Sequence, residues 1–511
     1  MTRSRAPQGG LRRRLAAALV LAAAGLAGGG VAAETGFSPH DLQIVLSYGQ
    51  SLAVGAGAMA PLSTRPVHPG TVMQAARDAA GEPVLSDLVA GRFEAPYISA
   101  LNRMAADFAR DGRTPPTLVG VMDAVSGKPL LALYLGSSDR AGSVADGLAR
   151  TPPGGFFYVP AGAGGSYDAY LNANGRAVQV AKMGYEPNFF DGILRSFEEI
   201  RTIADRGGYR ITDRLLFSFI QGQADRRDYG TTSYSDLLVA LVARIDAAAD
   251  RIFGQDITVV TVMGQTRNAY VSKQQLHFVA STRNSFLGAL EFPYQAENPD
   301  AWDYLAGRKL GNNPTHLNEL GYSLLGQETG DVLYGALTGT ADEDDFLRIA
   351  GIRVAGNRIT VRFAGLKGHL VEDDSVFGPV VGGGPPEHLG FRLVGNSRYS
   401  VVDARITGPD EVTLTVSRQV DRALTLVLGN TQFLADGSKN AFGGTPLRDS
   451  ETRPADNPFG VTQMADRVIR KFVPSQAVTI NARGLVTGTL ETADPRARRA
   501  APGAPSWYAR R

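Results

Sequence analysis

The chain has no cysteine in 511 residues. This excludes disulfides, thiolate metal sites, a cysteine nucleophile and a lipidated amino-terminal cysteine. Histidine is also scarce: His40, His68, His277, His316, His369 and His388 are all there are. None is paired in a His-Glu-x-x-His pattern, so the sequence gives no sign of a histidine-rich metal site. The formal net charge is only +2, which offers no basic surface for nucleic acid or an anionic membrane. Gly-x-Ser-x-Gly and a phosphate loop ending in Gly-Lys-Ser/Thr are both absent, which speaks against an α/β-hydrolase elbow and a nucleotide site.

Apolar residues make up 43% and charged residues 20%, the balance of a globular chain. Its length suits two domains. The amino terminus reads as a targeting segment. Arg3, Arg5 and Arg12 to Arg14 are basic, and 15–27 is apolar but shorter than a membrane span. Val31 and Ala33 fit a small-residue cleavage pattern. Residues 1–33 are therefore expected to be a signal peptide, with the mature protein periplasmic or secreted. No later stretch is long enough to span a bilayer.

The run Ile44-Val45-Leu46-Ser47-Tyr48 suits a buried strand, and Gly49-Gln50-Ser51 ends it abruptly. Ser51 then falls at the carboxyl end of that strand, where open α/β sheets place ligands. It is a candidate nucleophile, although serines in such turns also cap helices or bond locally. Residues 53–70 read as a loop. Helical spacing follows from Tyr97 to Phe108, then a strand over 117–122 leading into Ser126-Gly127. Residues 135–170 read as a long Gly, Ser and Pro-rich loop. An amphipathic helix spans Phe190 to Ile203, and a strand over 215–220 ends in Gln221-Gly222-Gln223-Ala224-Asp225. A helix over 235–253, a strand over 257–263, a helix over 271–287 and a short strand at 289–292 complete the alternation. A closing helix carries Leu320 to Leu333.

Strands alternating with helices imply a doubly wound parallel sheet, an α/β domain over 34–341. From about residue 342 the pattern changes to alternating strands, with a hairpin around Gly356-Asn357. Residues 342–480 are expected to be an all-β, sandwich-like module, and 481–511 a flexible basic tail.

A serine nucleophile needs a neighbouring base. His316 sits in a loop before the last helix of the α/β domain and is the candidate. His68, also in a loop, is the rival, and His277 suits a helix face. A tetrahedral oxyanion needs donors: the Ser51 N–H, the Gly127 N–H and a side-chain amide such as Gln221, each worth on the order of a hundredfold in rate. Singly, a glycine or glutamine at a strand end serves structure as readily as chemistry. In this order they point to hydrolysis at a carbonyl.

Tyr48-Gly49-Gln50-Ser51, Val125-Ser126-Gly127, Ile220 to Asp225 and Asn313-Pro314-Thr315-His316 resemble the motif blocks of the SGNH-hydrolase superfamily, most closely its sialate O-acetylesterase and carbohydrate acetylesterase branch. The resemblance covers about 42–337. It implies a flavodoxin-like three-layer α/β/α fold and cofactor-free removal of acetyl esters from carbohydrate. It assigns Ser51 as nucleophile, His316 as general base, and Gly127 and Gln221 to the oxyanion hole, with Gln50, Gln223 and Asp225 as supporting residues. Two positions depart from the pattern. Asn313 stands where the family has Asp, and Gln223 where it has Glu. An asparagine carbonyl can still orient an imidazole but lends it no charge. A slower Ser-His pair, a carboxylate recruited from elsewhere such as Asp303, and a lost activity all stay open. So do two other readings: a non-catalytic polysaccharide-binding envelope protein on the same scaffold, and an acyltransferase using the same chemistry.

Overall fold

The computed structural model describes residues 36–481, except 59–60, 152–154, 161–165, 172–176, 184–185, 226–227, 230–231, 267, 298–315, 344, 378–385 and 430–443. The expected signal segment, Asp303, Asn313 and the tail beyond 481 lie outside the described residues.

The first part of the chain runs β1 (Asp41–Gly49), α1 (Ser51–Val54), β2 (Val72–Arg77), β3 (Pro83–Asp87), α2 (Pro96–Arg110) and β4 (Thr117–Met122). It continues through α3 (Leu130–Tyr134), α4 (Val144–Arg150), β5 (Phe156–Pro160), β6 (Ser166–Leu171), β7 (Ala177–Met183) and α5 (Phe190–Gly207). Then come β8 (Arg210–Ile211), β9 (Arg214–Ile220), α6 (Tyr234–Phe253), β10 (Thr258–Gln265), α7 (Ala269–Ser281), β11 (Ser285–Leu290) and α8 (Glu319–Thr338).

The main sheet has the order β11-β10-β9-β1-β4-β2-β3, with β8 beside β1. Its strands pair in parallel except for the β2–β3 hairpin. β1 is buried along its whole length, which explains its almost unbroken apolar sequence. Leaving out the hairpin and β8, the strands stand in the flavodoxin order 2-1-3-4-5. The chain moves one way from β1 to β4 and the other way from β9 onward, so the topological switch point lies between β1 and β9. This agrees with the expected parallel α/β layer.

Helix ends follow local chemistry. Ser233 caps α6 by accepting from the Asp236 N–H, and Asn318 caps α8 by accepting from the Gly321 N–H at 2.9 Å. Helix α8 lies on α2 so closely that a Cβ on Gly326 would come 2.1 Å from the Pro96 carbonyl oxygen. One on Gly330 would come 2.6 Å from that of Ala100. Only glycine at both positions allows this approach.

Two expectations are corrected, and one hairpin is added to them. The stretch 135–170 is not a plain loop: it holds α4, β5 and nearly all of β6, and both strands pair with β7 beyond it. The hairpin β2–β3 gave no clear sequence signal because its residues are mostly half-buried, without clean alternation. The helix expected over 271–287 stops at Ser281, and the apolar run after the positive-φ turn at Asn284 is strand β11. A short apolar run does not by itself separate strand from helix.

The carboxyl-terminal region contains β12 (Arg348–Ala355), β13 (Arg358–Ala364), β14 (Leu370–Glu372), β15 (Phe391–Val394), β16 (Val401–Gly408), β17 (Glu411–Val416), β18 (Leu424–Leu428), β19 (Leu447–Pro454), β20 (Val468–Phe472) and β21 (Gln476–Ile480). They pair antiparallel in three small sheets, β12-β13-β17-β16, β14-β19-β20 and β15-β18-β21. The Gly356-Asn357 hairpin is where the alternation placed it. Phe391, Val412, Leu414 and Leu426 centre a core of their own. This region also reaches into the α/β layer: the Ser475 N–H donates to Gln265 Oε1 at 2.8 Å, and Gln327 Nε2 donates to the Asp456 carbonyl at 3.0 Å.

Candidate active site

Three strand ends meet at the switch point. The Gln50 N–H donates to the Ile220 carbonyl at 3.0 Å, and the Val125 N–H to the Gly49 carbonyl at 3.0 Å. This stitches the exits of β1, β4 and β9 together. Gly49 has φ +138, and a Cβ there would sit 2.1 Å from the Ile220 oxygen. No other residue fits the corner that turns the chain into α1.

Ser51 is the first residue of α1 and is 5% exposed. The helix is one turn long, and the Ser51 carbonyl accepts the Ala56 N–H at 2.9 Å. The chain then passes through Gly57, at φ +97. A Cβ on Gly57 would lie 2.8 Å from the Cβ of His316. The half-buried His316 thus rests on the turn that follows Ser51. Leu317, buried beside it, shares a cluster with Leu52, Ala53 and Ala58, and the Tyr322 hydroxyl donates to the Ala56 carbonyl at 2.5 Å. The early serine turn and the late histidine segment are packed against one another at one rim, across more than 250 residues of chain.

Gly127 lies in an exposed turn at φ +71, with open space on the side where a Cβ would stand. Gln221 departs from expectation. It is 0% exposed. Its Nε2 donates to the Lys128 carbonyl at 3.2 Å and to the Asp225 carboxylate, and its Oε1 accepts from the Tyr234 hydroxyl at 2.6 Å. A primary amide has two hydrogens, and both are engaged inside the protein. Gln221 braces the turn next to Gly127 instead of reaching into an oxyanion hole.

Asp225 is the hub of this brace. Its carboxylate accepts from Gln221, from the Tyr229 hydroxyl and from the Leu130 N–H at 3.2 Å, where α3 begins. Burial pushes its pKa up to about 7, against the hydrogen bonds from Gln221 and Leu130, which favour the anion. Gln275 and Asn268 of the α7 segment complete the lattice. Gln275 Nε2 donates to the Gln221 carbonyl at 2.7 Å, and Asn268 Nδ2 to the Asp225 carbonyl at 2.5 Å. Sequence reasoning missed both, because side-chain bonds to distant carbonyls leave no periodic trace.

Gln223 Nε2 donates to Glu291 at 2.6 Å, and the same carboxylate oxygen accepts from Thr266 Oγ1 at 3.0 Å. A glutamate at 223 would set a second carboxylate against buried Glu291, so the amide suits this environment. Gln50 is buried, with its Oε1 lacking a hydrogen-bond partner among the described residues. Asp123, just beyond β4, likewise has an unpartnered buried Oδ2, and burial raises its pKa. Of the other histidines, His40 stands before β1 at the opposite end of that strand, His277 is exposed on α7, and His369 and His388 belong to the β region. Among the described residues, no three His, Asp or Glu side chains converge as a metal site. No helix among them is long and apolar enough to cross a membrane.

No protein-family model and no curated protein sequence matches the chain. Solved structures do. The chain is similar in structure to XAC1771, a carbohydrate acetylesterase from Xanthomonas citri, at 12% identity and a TM-score of 0.44, over 85% of this chain and 80% of that one. It is similar to NanS at 13% identity and a TM-score of 0.33, over 58% of this chain and 98% of NanS. A protein from Arabidopsis thaliana matches at 13% identity and a TM-score of 0.32, again over 58% and 98%.

Proposed function

We propose that this chain is an exported serine esterase that removes acetyl groups from carbohydrate. The observation that carries the reading is the packing of His316 on the Ser51 turn at the sheet's switch point. The motif blocks quoted above support the substrate class, and the basic and apolar amino-terminal stretch supports export.

In this reading Ser51 Oγ attacks the ester carbonyl while His316 takes its proton. The C–O double bond opens to an oxyanion, which the Ser51 and Gly127 N–H groups receive. Collapse of the tetrahedral adduct expels the sugar hydroxyl, which takes the proton back from His316. Water then enters by the same route in reverse and releases acetate. Gln221 and Asp225 act by holding the Gly127 turn in place. Asn313 is assigned to the histidine as an uncharged orienting group. A sugar hydroxyl accepting the acyl group in place of water would make the same site a transferase.

A second reading, a non-catalytic polysaccharide-binding protein, is favoured by the amides at 313 and 223. Turnover of p-nitrophenyl acetate decides between them. The mature chain should hydrolyse it, and Ser51→Ala and His316→Ala should each lose at least a hundredfold in kcat/KM. Fluorophosphonate labelling should add mass at Ser51 only when His316 is intact. Equal rates in all three proteins would remove the esterase reading.

A further inference from the structure

A cavity of about 450 Å3 lies where α2, α8 and the 455–459 loop of the β region meet. That volume falls within the ~300–1,000 Å3 of ordinary small-molecule sites. We propose that it binds a neutral sugar ring of the carbohydrate chain, as a subsite separate from the ester-cleaving rim. The choice of a sugar rests on the functional reading above.

The walls supply what a pyranose needs. Phe459 is half-buried and offers a ring for the apolar C–H face. The Asp456 carboxylate is held by Arg103 Nη1 at 2.7 Å, yet its side chain stays 36% exposed, so it is both oriented and reachable by hydroxyl donors. His68 is half-buried in the same cavity, and burial lowers its pKa. A neutral imidazole can both donate and accept. Asn102 Oδ1 and Arg103 Nη2 are buried in the wall without a hydrogen-bond partner among the described residues.

The site is also preformed. Gln327 of α8 clamps the loop by donating to the Asp456 carbonyl at 3.0 Å and accepting the Asp456 N–H at 2.7 Å. The chemistry selects against anionic units, which would meet the part-exposed Asp456 carboxylate. His68, a rival for the catalytic base in the sequence, is here a ligand-facing residue.

The test is calorimetric titration of the mature chain with xylohexaose, cellohexaose and, as a charged control, trigalacturonic acid. At least one neutral hexaose should bind saturably and more tightly than the acid. Phe459→Ala and His68→Ala should each weaken that binding at least tenfold while keeping a native circular dichroism spectrum, and Ser51→Ala should retain it. Should one variant fail to fold, the other decides. Absence of binding by both hexaoses, equal binding in the folded variants, or tighter binding of the acid would overturn the proposal. Binding that depends on Phe459 in a chain without ester turnover would remove the esterase reading and leave the subsite standing.

Discussion

The switch-point rim and the α2–α8 seam are both buried and both polar, but they are held in opposite ways. Around the Asp225 carboxylate at the rim the bracing side chains are neutral, Gln221, Gln275, Asn268 and Tyr234. At the seam they are ions. Arg103, 1% exposed, reaches Asp331 at 2.6 Å and Asp456 at 2.7 Å, Arg453 reaches Asp331 at 2.6 Å, and Asp107 takes Arg110 and Arg453. Amides fix atoms through short directional bonds and add no net charge. Buried ions hold parts together only while every partner is present. The seam joins the α/β layer to the β region; the rim sets the geometry of a few atoms.

The contrast can be broken in three places. The largest effect is expected at the seam. Arg103→Ala takes away the Asp456 partner and leaves Asp331 to Arg453 alone, and should cost about 3 kcal/mol in urea unfolding, whereas Arg103→Met combined with Asp331→Leu should cost much less. Equal losses would show that packing, not charge, holds the seam. Next is the rim: Asp225→Ala removes the acceptor for Gln221, Tyr229 and Leu130 and should cost about 2–3 kcal/mol. Asp225→Asn should recover part of the stability but not the ester turnover, because it cannot accept from all three.

The smallest effect is one of pH. Glu328, on α8, is fully enclosed and accepts from the Tyr294 hydroxyl at 2.8 Å. Burial is the main reason its pKa is pushed up to about 8. A carboxyl raised in the folded state holds a proton that the unfolded chain has already released. The folded state therefore loses stability as pH rises from about 4.5 towards 8. Glu328→Gln should match the native protein below pH 4.5 and gain stability relative to it progressively as the pH rises towards 7.5. Thermal unfolding across that range would show whether the two curves part.

What could be read from the sequence follows from the same physics. Strands buried on both faces, β1, β9 and β10, announce themselves as apolar runs, and Gly49 marks the corner because only glycine fits against Ile220. Helices α2, α5 and α6 show a 3.6-residue stripe. By contrast, β5 to β7 are short and set among glycines, and β11 reads like the end of α7. At the rim, Ser51, Gly127 and His316 stood out by position at element ends. Gln221 was visible, but its inward turn was not: the carbonyl it braces belongs to Lys128, which no local pattern connects to it.

The paired glycines of α8 have a consequence for His316, the base of the proposed reaction. Gly326 and Gly330 let the last helix sit directly on the backbone of α2 at those two positions. The histidine just ahead of that helix inherits its height above the serine turn from a bare backbone-to-backbone spacing. A single methyl added two helical turns away is a lever on how His316 meets the Ser51 turn, and a route by which distant sequence drift could shift that contact without touching either residue.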